Sequence, residues 1–563
     1  MLHQPLSDKS HSDEPPARRR WTLVAVCAIA AIYLAGINQH WRIGSDSGLY
    51  LNLADSIAGG IGYTLAGQPH TFVPPGFPAM LAGLMALGLG SFPAMNIVMA
   101  MLGLLTVFMA YLTLRELVAR DYALMLTVVF ALSYEMFQRS GEILSDVPFT
   151  LMLLTALWFY LRGLRRERPD RRLWEIASLL MVTGLWFRLA ALPLILGAGL
   201  GLAISTPRSK RAYLNLGLIV LGASASMAFF VWHYKTHHDP AAASYGAAVT
   251  RLTAGDLVYQ WTVKPLAHLW FALGQLSRLL VVQRLPQTLA AILFFAPIVI
   301  GMAGRFRRGE RLTVLAVLLY VAGLCAVSEK PRTRYFLPIS PLLLLYLLEG
   351  YAWGLGKALR RELTNRRTIL GAFRFPEKPR NRASPAEGPY GQAGWATYEN
   401  RFSCGTAAPG CVFPKTEMHP TILRVSMSAL LAVMLLLNLP LVGRDIYERR
   451  SGDFWLSQQK GAWRDSVAAA NYIRGLNVNG YILADQPVAY LAGVQSPMVS
   501  IGMLQSQPTF QQIDDLLRRW NIRCVAVSYD ESWPFTQVLE RRMEALGRPV
   551  RTFGKVGVYQ VAQ

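Results

Sequence analysis

Charge is scarce in this 563-residue chain, and negative charge is scarcer still. Only 16% of its residues are Asp, Glu, Lys or Arg, where a soluble chain carries about a quarter. That shortage, beside 53% hydrophobic residues and a mean hydropathy of +0.29, excludes an ordinary soluble protein. Acidic residues number 34 against 56 basic ones, leaving a formal charge of +22. The basic residues sit mostly in short loops between apolar runs. This is the orientation signal of membrane proteins, so the excess points to phospholipid headgroups and away from nucleic acid. Five cysteines are too few for a disulfide scaffold, and two of them, Cys27 and Cys325, lie in apolar runs as packing residues. Cys404 and Cys411 share a loop, but their spacing alone is not a zinc pattern. Internal repeats are also lacking, which weakens the rival reading of a polytopic transporter or lipid-linked oligosaccharide flippase.

What is present is a series of apolar runs near membrane-span length. The expected fold is therefore an all-α membrane bundle. Arg18, Arg19 and Arg20 precede the run 21–37 and place the tail 1–20 in the cytoplasm. That run is too long for a signal-peptide core. Further spans are expected at 94–114, 123–137, 147–161, 173–187, 189–204, 213–232, 286–302, 312–327, 336–351 and 422–441. A short helix at 77–89 dips into the interface. The total is about eleven spans. This gives a transmembrane catalytic module at 21–356 with a first external loop at 40–92. A basic cytoplasmic loop follows at 357–420, loosely ordered over 366–416, then a last helix at 421–442. The remainder, 443–563, reads as an extracytoplasmic α/β domain. Its strands fall at 480–483, 498–501 and 524–528 and its helices at 466–476, 509–519 and 535–546.

One basic cluster breaks the pattern. Lys330, Arg332 and Arg334, with Tyr335 beside them, fall on the outer face. Cations held against the orientation rule read as an anion site: Arg forks match phosphate oxygens and Lys adds a point charge. Arg188, between two closely spaced spans, joins them. Carboxylates reach the same face from distant parts of the sequence: Asp46 just past the first span, and Glu142 and Asp146 in RSGEILSDVPF. An acid at a membrane edge is costly without a task. Asp46 suits a general base if desolvation raises its pKa. A helix-capping role is the plainer reading of each Asp. A base plus a cationic cradle suits displacement at a carbon whose leaving group is a phosphate. His233 and His237, four residues apart in HYKTHHD, are weak metal candidates. No cofactor is named by the sequence, and a divalent cation is left open.

These residues carry a resemblance. Asp46, Tyr50, Ala54, Gly60, Gly62, Tyr63, Gly67, Pro69 and the run Pro74-Pro75-Gly76-Phe77-Pro78 resemble the first external loop of C-type glycosyltransferases. The pattern is most like that of the bacterial protein O-mannosyltransferases and aminoarabinose transferases. SDVPF at 145–149 is similar to their second acidic motif, and RYFLPISPLLLL from Arg334 to their late R-Y-x-x-P helix. The resemblance implies a bacterial inner-membrane enzyme that moves a sugar from a polyprenyl-phosphate carrier to an envelope acceptor on the outer face. It implies Asp46 as the base and Asp146 as its companion. It implies Tyr50, Tyr63, Glu142, Arg188, Lys330, Arg332, Arg334 and Tyr335 around the substrates. Ser47 stands where both groups carry a second acid beside the first, which leaves the acceptor open among lipid, glycan and protein.

Overall fold

The computed structural model describes residues 16–42, 45–165, 170–206, 209–237, 286–327, 332–354, 420–451, 462–497, 507–528, 534–547 and 549–561. It also describes residues 268, 269, 272, 274, 275, 278 and 279. The expected strand at 498–501, the loop at 357–419, His238 and Lys330 lie outside these residues.

The chain opens with α1 (Pro16–Ala35) and α2 (Ser45–Ala58). A two-residue hairpin follows, β1 (Thr64–Leu65) and β2 (Gln68–Pro69), then α3 (Gly76–Ala86). The long helix α4 (Phe92–Arg115) carries Pro93 in its first turn, which its fixed φ suits. Its faces show how the bundle sorts side chains. Ile97, Met101, Leu105 and Phe108 form an exposed stripe, while Met95, Met99, Gly103, Val107, Ala110 and Leu114 are buried on the other side.

Next come α5 (Arg120–Ala131), α6 (Tyr134–Ser140), α7 (Asp146–Arg165), α8 (Arg171–Phe187), α9 (Ala191–Ser205) and α10 (Lys210–His237). The single span expected over 123–137 is thus two helices. Ser133 caps the second by accepting from the Met136 N–H, and Asn438 accepts from the Tyr134 N–H at 2.9 Å. Then follow α11 (Gln287–Arg307), α12 (Arg311–Val327), α13 (Thr333–Gly354) and α14 (Pro420–Ser451). Among the described residues six helices are long and apolar enough to cross a membrane, against about eleven expected. The runs at 173–187, 189–204 and 312–327 are helical, but α8, α9 and α12 have only 17, 15 and 17 residues.

α13 is the buried axis of the bundle, its first turn wound as a tighter 3-10 helix over Thr333–Ile339. Two glycines let α11 lie against it. A Cβ on Gly301 would sit 2.0 Å from the Tyr346 carbonyl oxygen, and one on Gly350 1.8 Å from that of Pro297. Small residues at such crossings allow backbones in lipid to approach closely.

The C-terminal part holds α15 (Ala462–Gly475), β3 (Tyr481–Leu483), α16 (Gln486–Ala492), α17 (Phe510–Arg519), β4 (Ile522–Ser528), α18 (Pro534–Leu546), β5 (Arg551–Phe553) and β6 (Val556–Gln560). The sheet order is β3-β4-β6-β5, with β3 parallel to β4 and the other pairs antiparallel. The strands divide between two cores, with a register shift between Ile522 and Cys524. Ile522, Val525, Val527 and Tyr559 pack under α17 and α18, while Ile482, Cys524, Val556 and Val558 face α15 and α16. The pair β5–β6 was not expected from sequence.

Basic clusters gather at one end of the bundle. Arg162 and Arg165 face Glu116 at 3.5 and 3.4 Å, Arg305 meets Glu310 and Glu349, and Arg311 donates to the Ile204 carbonyl. Asp146 begins α7 at the other end, about 30 Å away along a 20-residue helix. Gly350→Val is expected to force α11 off α13 and cost roughly 1–3 kcal/mol. A lowered thermal midpoint of the detergent-solubilised chain checks it, and an unchanged midpoint contradicts the close crossing.

Candidate active site

The site lies where α2, α7, α13 and the α8–α9 turn meet. Asp46 stands in the first turn of α2, which begins at Ser45. Its carboxylate accepts from the Arg334 guanidinium at the start of α13, a partner 288 residues away. Asp146, in the first turn of α7, accepts from Arg188, which ends α8. Both guanidiniums flank one ring. Arg188 and Arg334 lie 5.2 and 5.4 Å from the centroid of Tyr335, a range in which the ring's negative face attracts cations. Tyr320 supports that ring from α12 by donating to the Tyr335 carbonyl at 2.8 Å. Thr333, one residue before Arg334, donates to Gln275 at 2.7 Å.

Tyr50 completes the group. It is one turn beyond Asp46, its hydroxyl is 3.2 Å from the Ser145 hydroxyl, and its ring meets Phe77 edge-on at 4.9 Å. Burial pushes the Tyr50 phenol above its ordinary range, and the Asp46 charge adds to this. Tyr50 is therefore a neutral hydrogen-bonding group at neutral pH.

The two ion pairs differ in exposure. The Asp146 side chain is 2% exposed and that of Asp46 37%, against 16% for Arg188 and 10% for Arg334. Asp146 is fixed, whereas Asp46 reaches solvent. Burial tends to raise the Asp46 carboxyl, but the Arg334 guanidinium, aided by Arg332 and Arg188, holds it below the ordinary carboxylate value. The expectation that desolvation raises it is corrected. Three cations within reach outweigh burial.

Other candidates lie elsewhere. Arg332 is exposed at the rim. Tyr63 is half-buried near Tyr50 and donates to the Val73 carbonyl. Its neighbour is His70, an edge-on ring contact at 5.5 Å that the sequence reading overlooked. His70 accepts from the Val73 N–H at 3.1 Å, and burial pushes its imidazole down to about 3, so it stays neutral. His233 bonds the His70 carbonyl at 3.0 Å, and His237 bonds Thr236 at 2.8 Å. Among the described residues no three His, Cys, Asp or Glu side chains gather as a metal site.

Glu142 is held apart from the acids. It meets Arg42 at 3.1 Å, Gln138 at 3.1 Å and Arg139. Arg42 continues to Asp445 at 3.0 Å, and Asp445 pairs with Arg449 on α14. Sequence reading missed this network because its members look like ordinary charges flanking apolar runs. The one available signal was the number of charges at helix ends on the side opposite the basic clusters.

Residues 72–234 match the family described as Dolichyl-phosphate-mannose-protein mannosyltransferase. That stretch includes Asp146 and Arg188 and begins beyond Asp46. No curated protein sequence matches the chain. Solved structures do. ArnT from Cupriavidus metallidurans bound to undecaprenyl phosphate is 13% identical, with a TM-score of 0.53 over 97% of this chain and 98% of that one. Its apo state gives 13% identity and a TM-score of 0.52 over 96% and 98%. The archaeal oligosaccharyltransferase AglB from Archaeoglobus fulgidus was solved with an inhibitory peptide and a dolichol-phosphate. It is 12% identical, with a TM-score of 0.51 over 92% of this chain and 70% of that one. The chain shares the fold of these two proteins. In this chain Asp46 and Asp146 open α2 and α7, the two helices that converge on Tyr335 through their arginine partners.

The Glu142 network has a pH consequence. Burial raises its carboxyl, but Arg139 and Arg42 more than offset this, so its folded pKa is below the ordinary 4.5. A depressed carboxyl gives stability that is present above the unfolded value and lost as pH falls through the folded one. The thermal midpoint should therefore drop as pH falls below about 4.5. Glu142→Gln should flatten that part of the profile. An identical slope in both proteins contradicts the assignment.

Proposed function

We propose that this protein transfers a sugar from a polyprenyl-phosphate carrier to an envelope acceptor on the extracytoplasmic face of a bacterial inner membrane. The observation that carries the reading is the Asp46–Arg334 pair beside the Asp146–Arg188 pair. It sets a solvent-reaching carboxylate against a cationic cradle at the end of the bundle opposite Arg162, Arg165, Arg305 and Arg311. The match to the mannosyltransferase family over 72–234 and the fold shared with ArnT bound to undecaprenyl phosphate support it.

In this reading Asp46 takes the proton of an acceptor hydroxyl. The acceptor oxygen bonds to the anomeric carbon, the bond from that carbon to the phosphate oxygen breaks, and its electron pair leaves on the polyprenyl phosphate. Arg334 holds that phosphate as its charge grows, with Arg332 at the rim. Arg188 and Asp146 lock each other and keep Tyr335 beneath the guanidiniums. Tyr50 orients the acceptor or the donor by hydrogen bonding.

The paired state is the resting one. A carboxylate depressed by Arg334 is a weak base, because an effective base has a pKa near the working pH. Donor phosphate competes for the same guanidinium. Once it takes Arg334, Asp46 loses its strongest compensating charge and its pKa rises, so the base is armed when donor is present. The residue Ser47 beside it leaves the acceptor open among lipid, glycan and protein.

Asp46→Asn should lower transfer by roughly 10²- to 10⁴-fold. It should bind undecaprenyl phosphate at least as tightly as the parent, since the competing charge is gone. Arg334→Ala should weaken that binding by roughly 10-fold or more. Mass spectrometry of lipid-linked sugars and envelope glycans in native membranes reads the first. Tryptophan fluorescence of the purified chain reads the others. Full transfer by Asp46→Asn would sink the base assignment.

A further inference from the structure

The back of α2 is clamped by the C-terminal part of the chain. Gly48, Asn52 and Ser56 recur every fourth residue and share one face of the helix. Asp46 and Tyr50 are offset by two residues, about 200° around it. The face of Gly48, Asn52 and Ser56 meets α16 and the segment after it. A Cβ on Gly48 would lie 2.6 Å from the Pro487 nitrogen and 2.7 Å from the Gln486 carbonyl carbon, so the two backbones touch. Asn52 donates to the Gln486 side chain at 3.1 Å and to its carbonyl at 3.3 Å. Gln486 is itself held by the Ser496 carbonyl at 2.8 Å. One turn on, Gln495 donates to the Ser56 hydroxyl at 2.6 Å, and it accepts from the Ala66 N–H of the hairpin turn at 2.8 Å. Asn52, Ser56 and Gln486 are each less than 9% exposed.

Buried amides that bond one another across two parts of a chain fix a distance and a register, because sliding leaves each of them unsatisfied. Asp46 is only partly enclosed on its own side and faces a mobile target, the donor phosphate. Its position along the site is set from behind. We propose that α16 is a buttress for α2, and that Gly48, Asn52 and Gln486 are positioning residues which place the Asp46 carboxylate. None of them touches the reacting atoms. The proposal rests on the reading of Asp46 as the base.

The test uses the purified full-length chain and native membranes, with Gly48→Ala, Asn52→Ala, Gln486→Ala and the Asn52→Ala/Gln486→Ala double variant. Amide exchange over residues 45–58 should speed up by about 10-fold or more in each variant. Transfer should fall by roughly 10- to 100-fold, the scale of an ångström-sized misplacement. Affinity for undecaprenyl phosphate, the probe of the donor side, should not fall. The double variant should lose no more transfer than the worse single one, as two halves of one contact do. If Gly48→Ala does not fold, the two truncations carry the test. Transfer kept within about two-fold while exchange over 45–58 accelerates overturns the proposal, and so does unchanged exchange. Failure of the parent chain to bind undecaprenyl phosphate overturns the glycosyltransferase reading instead. The exchange rates then still decide whether α16 holds α2.

Discussion

Everything at this site depends on two guanidinium–carboxylate pairs sharing one tyrosine ring. A charge taken from water at a membrane edge is costly unless a partner meets it. Four such charges are brought there by four separated segments: Asp46, Asp146, Arg188 and Arg334. Each cation is satisfied only if its helix arrives at the right height, so the pairs fix the ends of α2, α7, α8 and α13 against one another. Tyr335 offers its ring to both guanidiniums, which the two carboxylates keep compensated.

The pairs are alike in chemistry and unlike in setting. Asp146 is enclosed and its bond to Arg188 is a structural lock. Asp46 reaches solvent, so its partner Arg334 can be taken by another anion. A phosphate carries more acceptor oxygens than a carboxylate and suits the guanidinium fork as well. The same contact that holds the empty site together is thus the contact that a lipid-linked phosphate would replace. Behind α2, the amide contacts to α16 keep the carboxylate in place while its partner changes.

Much of this was legible in the residues. Arg332 and Arg334 stand out in the sequence as cations against the orientation rule, and counting spans brings Asp46, Asp146 and Arg188 to the same end. What the sequence hid was pairing. No local pattern says that Asp46 meets a residue 288 positions away, and the sign of its pKa shift depends on that meeting. Arg42, Asp445 and Arg449 hid for the same reason. Each looks like a loop charge until α14 lies beside the first loop. The break between α5 and α6 hid because one of the contacts that hold it, Asn438 bonding the Tyr134 N–H, lies 304 residues away. The short strands β5 and β6 escaped because three to five residues give alternation too little length to show.

The central claim is that donor phosphate and Asp46 compete for Arg334. A cryo-EM structure of the full chain with undecaprenyl phosphate tests it most directly. The account predicts phosphate oxygens on the Arg334 guanidinium, the Asp46 carboxylate withdrawn from it, and the Asp146–Arg188 pair unchanged. Phosphate bound elsewhere, with Asp46 and Arg334 still paired, would contradict it.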